Sequence, residues 1–184
     1  MSNEETSTFD ERLTGIWEIV PPDGEIADEP FIAIVGRKRD TKNTLEFVTV
    51  ELQKGLGVRT KRMAAYARPG NNSYLSITAL PETDSSEKSE FVILKYEMPD
   101  DKTVKLYFPK TDVLRNAVEA GKLKGKIEQP KGLFEPGGGV TLSDSPDVIV
   151  RFLDENAETC FTDSMTFRKT KNAPKAKQQV SSKE

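Results

Sequence analysis

The chain contains no histidine and a single cysteine, and these two absences exclude most of the common catalytic chemistries. Histidine is the usual general base near neutral pH and the commonest metal ligand. Without it there can be no Ser-His-Asp triad, no Cys-His dyad and no histidine zinc site. Cys160 alone can form neither an intramolecular disulfide nor a multi-thiolate site, and we expect it to be a buried structural thiol. We therefore predict no catalytic residue, no metal and no cofactor, which means that the protein is not an enzyme.

Three further absences bear on partners and location. No apolar run approaches 18 residues, so no transmembrane segment is predicted. The start of the chain lacks the basic and then apolar pattern of a signal peptide. We therefore expect a cytoplasmic protein, or a periplasmic or surface-anchored one if an export signal has been removed. The net charge of −3 argues against a nucleic-acid partner, because such binding depends on phosphate neutralisation. The sequence identifies no protein partner.

The 184 residues suit one domain with a tail at each end. Residues 1–11 are acidic and residues 171–184 are basic, and both stretches contain few apolar side chains. Such segments cannot bury enough apolar surface to offset the entropy lost on ordering. We predict two disordered tails and a single β-barrel domain over residues 12–170.

The apolar segments of this domain are short, rich in β-branched or aromatic residues, and separated by turn residues. This spacing is typical of β-strands. Seven strands follow one another with no long helix between them, which favours an antiparallel barrel, or alternatively a two-sheet sandwich, over a parallel α/β sheet. The predicted strands cover residues 13–20, 31–37, 45–52, 58–67, 74–80, 91–98 and 103–108.

Helical patterns occur late in the chain. Thr111 or Asp112 can cap a helix with a one-sided apolar stripe that ends at Gly121. Pro146 marks the first turn of a second helix, which continues to Asn156. The predicted fold is therefore mostly β, an antiparallel up-and-down barrel with two short inserted helices. Short strands are predicted at residues 123–128, 140–142 and 165–169.

Gly15 and Trp17 lie two residues apart in the first predicted strand. This Gly-x-Trp pattern resembles the lipocalin signature at the start of an up-and-down barrel. The resemblance implies that Trp17 closes one end of the barrel with a basic side chain across its ring. Arg168, in the last strand, is the residue we predict for that role, since a guanidinium over an indole gains cation–π energy.

A second resemblance covers residues 13–168 loosely and residues 106–153 more firmly. Its most specific part is Ala-Val-Glu-Ala-Gly-Lys-Leu-Lys-Gly at residues 117–125, with Phe-Pro-Lys at 108–110 and Val-Thr-Leu-Ser-Asp-Ser-Pro at 140–146. These phrases look like a group of small bacterial proteins, many of them exported lipoproteins. The resemblance implies a lipocalin-like or calycin-like barrel, and most proteins of that group have no assigned function.

Alternation along the predicted strands also indicates which side chains face the barrel interior. An apolar interior could bind a small apolar or amphipathic ligand. The alternative is a structural or protein-interaction module whose barrel is filled by large side chains, namely Phe47, Tyr66, Tyr74, Phe91, Tyr96 and Phe108. The predicted ligand-binding lining consists of Trp17, Leu75, Ile77, Val92, Leu94 and Leu106, with Val104 beside them.

Overall fold

A computed structural model describes residues 7–21, 31–53, 57–80, 91–127 and 139–171. Eight of its strands form a closed antiparallel barrel in the order β1-β10-β7-β6-β5-β4-β3-β2. Consecutive strands pair along the chain, and β10 closes the barrel between β7 and β1. The predicted antiparallel barrel is therefore confirmed. The strands are β1 Gly15–Val20, β2 Phe31–Arg37, β3 Thr44–Gln53, β4 Gly57–Arg68, β5 Ser73–Ala79, β6 Val92–Asp100, β7 Thr103–Tyr107, β8 Gly125–Ile127, β9 Val140–Leu142 and β10 Ser164–Thr170.

Helices and a small two-stranded sheet are inserted between β7 and β10. The helices are α1 Thr111–Glu119, α2 Pro146–Glu155 and α3 Ala157–Cys160, and the sheet pairs β8 with β9. Both predicted helices are present. Gly121 follows α1 with a φ of 69°, a conformation that favours glycine, and its N–H donates to the Val118 carbonyl. Helix α3 was not predicted, because four residues are too few to show a helical period.

The inserted helices pack against the outer face of the barrel. Tyr74 on β5 points outward and shares an apolar cluster with Leu114 of α1 and Ile149 of α2. Inside the barrel a second cluster contains Leu75 and Leu94. Each of them follows a residue whose side chain points outward, Tyr74 and Ile93 respectively. Each fully buried large apolar side chain contributes about 1.5–3 kcal/mol. The β-sheet is therefore stabilised from both sides along β5 and β6.

The predicted disordered tail over residues 1–11 is wrong for residues 7–11, which lie against the barrel. The Thr8 N–H donates to the Ala67 carbonyl at 2.9 Å. The Arg37 guanidinium lies 3.7 Å from the centre of the Phe9 ring, and Asp10 is buried. The polar composition of residues 7–11 does not indicate these specific contacts of Thr8, Phe9 and Asp10. Residues 1–6 and 172–184 lie outside the described residues.

In the part of the chain that the structure describes, no helix is long and apolar enough to cross a membrane. Cys160 is fully buried, as predicted, and burial raises the pKa of its thiol.

Candidate functional site

Trp17 lies at one end of the barrel interior, where a 3₁₀-helix at Glu11–Leu13 precedes β1. Its side chain is only 2% exposed. The indole Nε1–H donates to the Leu13 carbonyl at 2.8 Å, so the one polar atom of the ring is satisfied. Leu13, itself 3% exposed, contributes to the same cluster. This end of the barrel is closed by the indole and the 3₁₀-helix together.

The cation that lies against Trp17 is Lys169, and the prediction of Arg168 is wrong. Lys169 pairs directly with Trp17 in the β1–β10 ladder, so both side chains are on the inner face. The Lys169 Nζ is 5.2 Å from the centre of the indole ring and donates to the Arg12 carbonyl at 3.3 Å. Arg168 is one position away and therefore faces outward, where it is exposed.

Gly15 makes room for the stem of Lys169. A Cβ at residue 15 would lie 2.5 Å from the Lys169 Cε, well inside van der Waals contact. The φ of Gly15 is also 139°, a backbone conformation that other residues rarely adopt. The glycine of the Gly-x-Trp pattern thus allows a lysine side chain to reach across the tryptophan ring. Gly15, Trp17 and Lys169 therefore close the barrel end, with Lys169 in the role that was predicted for Arg168.

Substitution of the two neighbouring cations separates their roles. Lys169→Gln is expected to lower the free energy of unfolding by about 1 kcal/mol and to change the emission of Trp17, because it removes the cation over the ring. Arg168→Gln should change stability by less than about 0.5 kcal/mol and leave the emission as it is. Urea unfolding and fluorescence spectra measure both quantities. A larger spectral change in Arg168→Gln would contradict the assignment of Lys169.

A hydrogen-bonded network around the buried carboxylate of Asp10 fixes the segment before β1 to the closed end of the barrel. Asp10 accepts hydrogen bonds from Arg12 Nη2 at 2.7 Å, Arg12 Nε at 2.9 Å and the Tyr96 hydroxyl at 2.9 Å. Burial alone would raise the pKa of Asp10, but the bonds from Arg12 and Tyr96 outweigh it and hold the pKa below its usual value. Burial and the Asp10 carboxylate both raise the pKa of Tyr96. The carboxylate is therefore ionised, and both of its oxygens accept hydrogen bonds from neighbouring side chains.

Above Trp17 the barrel encloses a cavity of about 250 Å³. All six residues of the predicted lining border it, as does Val104. Among the described residues that line the cavity, Thr49 carries the one hydroxyl, and no lining side chain is titratable. The complete lining is Leu13, Trp17, Ala33, Val35, Phe47, Thr49, Met63, Leu75, Ile77, Val92, Leu94, Val104, Leu106, Phe108, Met165 and Phe167.

The cavity exists because several large side chains point away from it. Tyr74 packs with the helices, and its hydroxyl donates to Asp154 Oδ1 at 2.8 Å. Tyr66 and Phe91 contact each other, with ring centres 6.0 Å apart. Tyr66 pairs with the outward Ser76, which places it on the outer face as well. Tyr66, Tyr74 and Phe91 are three of the six aromatic residues that would fill the barrel in the alternative interpretation, and all three lie outside it.

At the end of the cavity opposite Trp17, the described residues leave part of the lining exposed. Three of its lining residues are strongly exposed there, with Val92 at 54%, Phe108 at 48% and Met165 at 38%. They lie at the start of β6, after β7 and near the start of β10, so they share one rim of the barrel. A ligand could enter between the exposed rim side chains.

Sequence reasoning missed the part of the lining that β2, β3 and β4 contribute. Ala33 and Val35 of β2 and Thr49 of β3 all face inward. The segments around them have β-branched or apolar residues on both faces, so alternation alone gives no inside and outside. The pairing of Ala33 with Trp17, which fixes the face, is a long-range feature.

A larger, polar cleft of about 740 Å³ lies on the outer face, between β6 and the end of α2. Two of its charged groups, Lys95 and Glu97, are paired with each other. Lys95 Nζ lies 2.9 Å from Glu97 Oε1, and the Tyr107 hydroxyl donates to Glu97 Oε2 at 2.8 Å. The bond from Lys95, reinforced by the one from Tyr107, lowers the pKa of Glu97 despite partial burial. The interior cavity is therefore a stronger candidate for a ligand site than this cleft.

Comparisons with family models, with curated proteins and with solved structures found no match. The resemblance to lipocalin-like bacterial proteins therefore stays a prediction, and the function must be argued from the geometry of the barrel.

Proposed function

We propose that this protein is a non-catalytic binding domain, and that its barrel interior holds a small apolar or amphipathic ligand. The observation that carries this proposal is the open cavity of about 250 Å³ with an almost entirely apolar lining. Protein interiors are normally packed as closely as organic crystals. Space of this kind costs stability, because the lining side chains give up packing contacts that an occupant would restore.

The chemistry of the lining favours binding over catalysis. Apolar side chains and one threonine can neither transfer a proton nor act as an activated nucleophile. At the closed end, the Lys169 amino group donates to the Arg12 carbonyl and lies 5.2 Å from the centre of the indole ring. Polar selection of a ligand can therefore take place only near the open rim.

A fluorescence titration tests the proposal. Trp17 is the one tryptophan of the chain and borders the cavity, so its emission reports on the interior alone. Neutral and acidic fluorescent acyl-chain analogues should bind saturably, with a Kd below about 100 μM, and should change this emission. Absence of saturable binding for every analogue would contradict the proposal.

Filling the cavity should abolish binding without harming the fold. Ala33→Phe places a ring in the cavity beside Trp17, so we expect affinity for the same analogues to fall by at least about tenfold. Because the ring occupies existing space, the free energy of unfolding should stay the same or rise by about 0.5–2 kcal/mol. The matched control is Ile34→Phe, at the next residue, whose side chain points outward and is 44% exposed. Equal affinity in Ala33→Phe and the wild type would place the ligand elsewhere.

The alternative, a protein-interaction module, is favoured by one observation on the outer face. Ile34 of β2 is 44% exposed and pairs with Ile16 on β1 and Val48 on β3, all three on the outside. Ile34 is exposed and Ile16 and Val48 are half-buried, and outward apolar side chains side by side are a feature of contact surfaces. If no analogue binds the interior, a loss of partner binding in Ile34→Lys would support this function.

A further inference from the structure

We infer that the ligand is an elongated neutral amphiphile, whose alkyl tail occupies the barrel and whose remainder lies in a groove outside it. This inference rests on the proposed function and adds the class of ligand. The groove has a volume of about 570 Å³ and lies between the barrel rim, α1, α2 and the small β8–β9 sheet. Its lining is Phe91, Val92, Ile93, Phe108, Pro109, Thr111, Leu114, Gly139, Val140, Thr141, Leu142, Ile149 and Leu153.

The barrel cavity and the groove meet at two side chains. Val92 and Phe108 border both spaces, and each is about half exposed. The rim between them is therefore apolar on both sides, with no polar barrier among the described residues. A chain that leaves the barrel past Val92 would pass directly onto apolar surface.

The size of the two spaces favours one ligand that uses both. Ligand sites usually measure about 300–1,000 Å³. The barrel cavity of about 250 Å³ falls short of this range, so a ligand of ordinary size that enters the barrel would extend past the rim into the adjoining groove of about 570 Å³. The apolar surface left open along Val140 and Leu142 would be covered by the same occupant.

The groove favours a neutral head group. The described residues that line it carry no charge, and its side-chain hydroxyls are those of Thr111 and Thr141. A carboxylate or an ammonium group there would lose water without gaining a counter-ion. A hydroxyl or an ester can instead exchange hydrogen bonds with the threonines. Monoacylglycerols and long-chain alcohols have this chemistry.

The test uses 1-monoacylglycerols with acyl chains of about 6 to 14 carbons, kept below their aggregation concentration, in competition with a fluorescent probe bound to the full chain. Each methylene buried on apolar surface should strengthen binding about fourfold. We compare the wild type with Thr141→Trp, which introduces an indole at an exposed residue that borders the groove. Ser143→Trp is the control, since Ser143 is exposed nearby and does not line the groove.

In the wild type and in Ser143→Trp, the increase in affinity with each added methylene should continue to the longest acyl chains. In Thr141→Trp the shortest chain should bind as in the wild type, while the longest should bind at least about tenfold more weakly. The fatty acid of the same length should bind the wild type more weakly than the monoacylglycerol. If the gain stops at the same length in the wild type and in Thr141→Trp, or if the fatty acid binds more tightly, the inference fails and barrel binding stands. If no chain binds saturably, both proposals fail.

Discussion

Replacement of Trp17 by alanine is expected to lower the free energy of unfolding by about 3–5 kcal/mol. The indole is 2% exposed, and its Nε1–H bonds the Leu13 carbonyl that holds the 3₁₀-helix over the barrel end. Removal of the ring would enlarge the existing cavity and leave the stem of Lys169 without the surface that it covers. The loss is large because the ring both fills the end of the barrel and anchors the 3₁₀-helix.

Phe108→Ala is the matched control for Trp17→Ala. Phe108 borders the same cavity but is 48% exposed at the open rim, so its truncation should cost about 1 kcal/mol or less. Urea unfolding followed by circular dichroism measures both variants without the need for tryptophan emission. Similar losses in the two variants would show that the end near Trp17 is no better packed than the rim.

Asp10→Asn is expected to lower the free energy of unfolding by about 2–3 kcal/mol at pH 7. The carboxylate is 6% exposed and accepts bonds from Arg12 and Tyr96, which an amide can only partly replace. Arg12 is half exposed and can regain water, so the loss stays below that of a fully buried pair. Asp163→Asn, at an exposed position, should change stability by less than about 0.5 kcal/mol. Equal effects of the two substitutions would mean that the segment before β1 is not held by this network.

The pH dependence of the Asp10 contribution has a definite sign. Its folded pKa lies below the ordinary value of 3.8, so the carboxylate stabilises the fold at pH values above 3.8. This contribution is lost as the pH falls below 3.8 and through the folded pKa. The difference in free energy of unfolding between the wild type and Asp10→Asn should therefore shrink on acidification from pH 6 towards pH 2. A difference that stays constant over this range would contradict an ionised, bonded Asp10.

The strands and much of the lining follow from local patterns. Leu75 and Ile77 lie in a segment where apolar and polar residues alternate, so one face is unambiguous. The same rule would have corrected the prediction of Arg168. Met165 and Phe167 are the apolar residues of the last strand and both face inward, which places Lys169 inward as well. Alternation within β10 was therefore a better guide than the preference of indole rings for arginine.

Contacts between distant parts of the chain could not be predicted in this way. Asp10 and Tyr96 are 86 residues apart, and neither has a sequence pattern that indicates the other. The groove depends on where α1, α2 and the β8–β9 sheet lie relative to the barrel rim. An amphipathic helix shows that it covers an apolar surface, but its sequence does not show which one.

The central claim is that the barrel interior is the ligand site, and methyl NMR during a monoacylglycerol titration tests it most directly. The methyl groups of Leu75, Ile77, Leu94 and Leu106 line the cavity, whereas those of Ile34 and Val48 lie on the outer face. We predict saturable shifts of the interior methyl resonances with one common Kd, and unchanged resonances for Ile34 and Val48. Shifts confined to Ile34 and Val48, with the interior resonances unchanged, would contradict the claim.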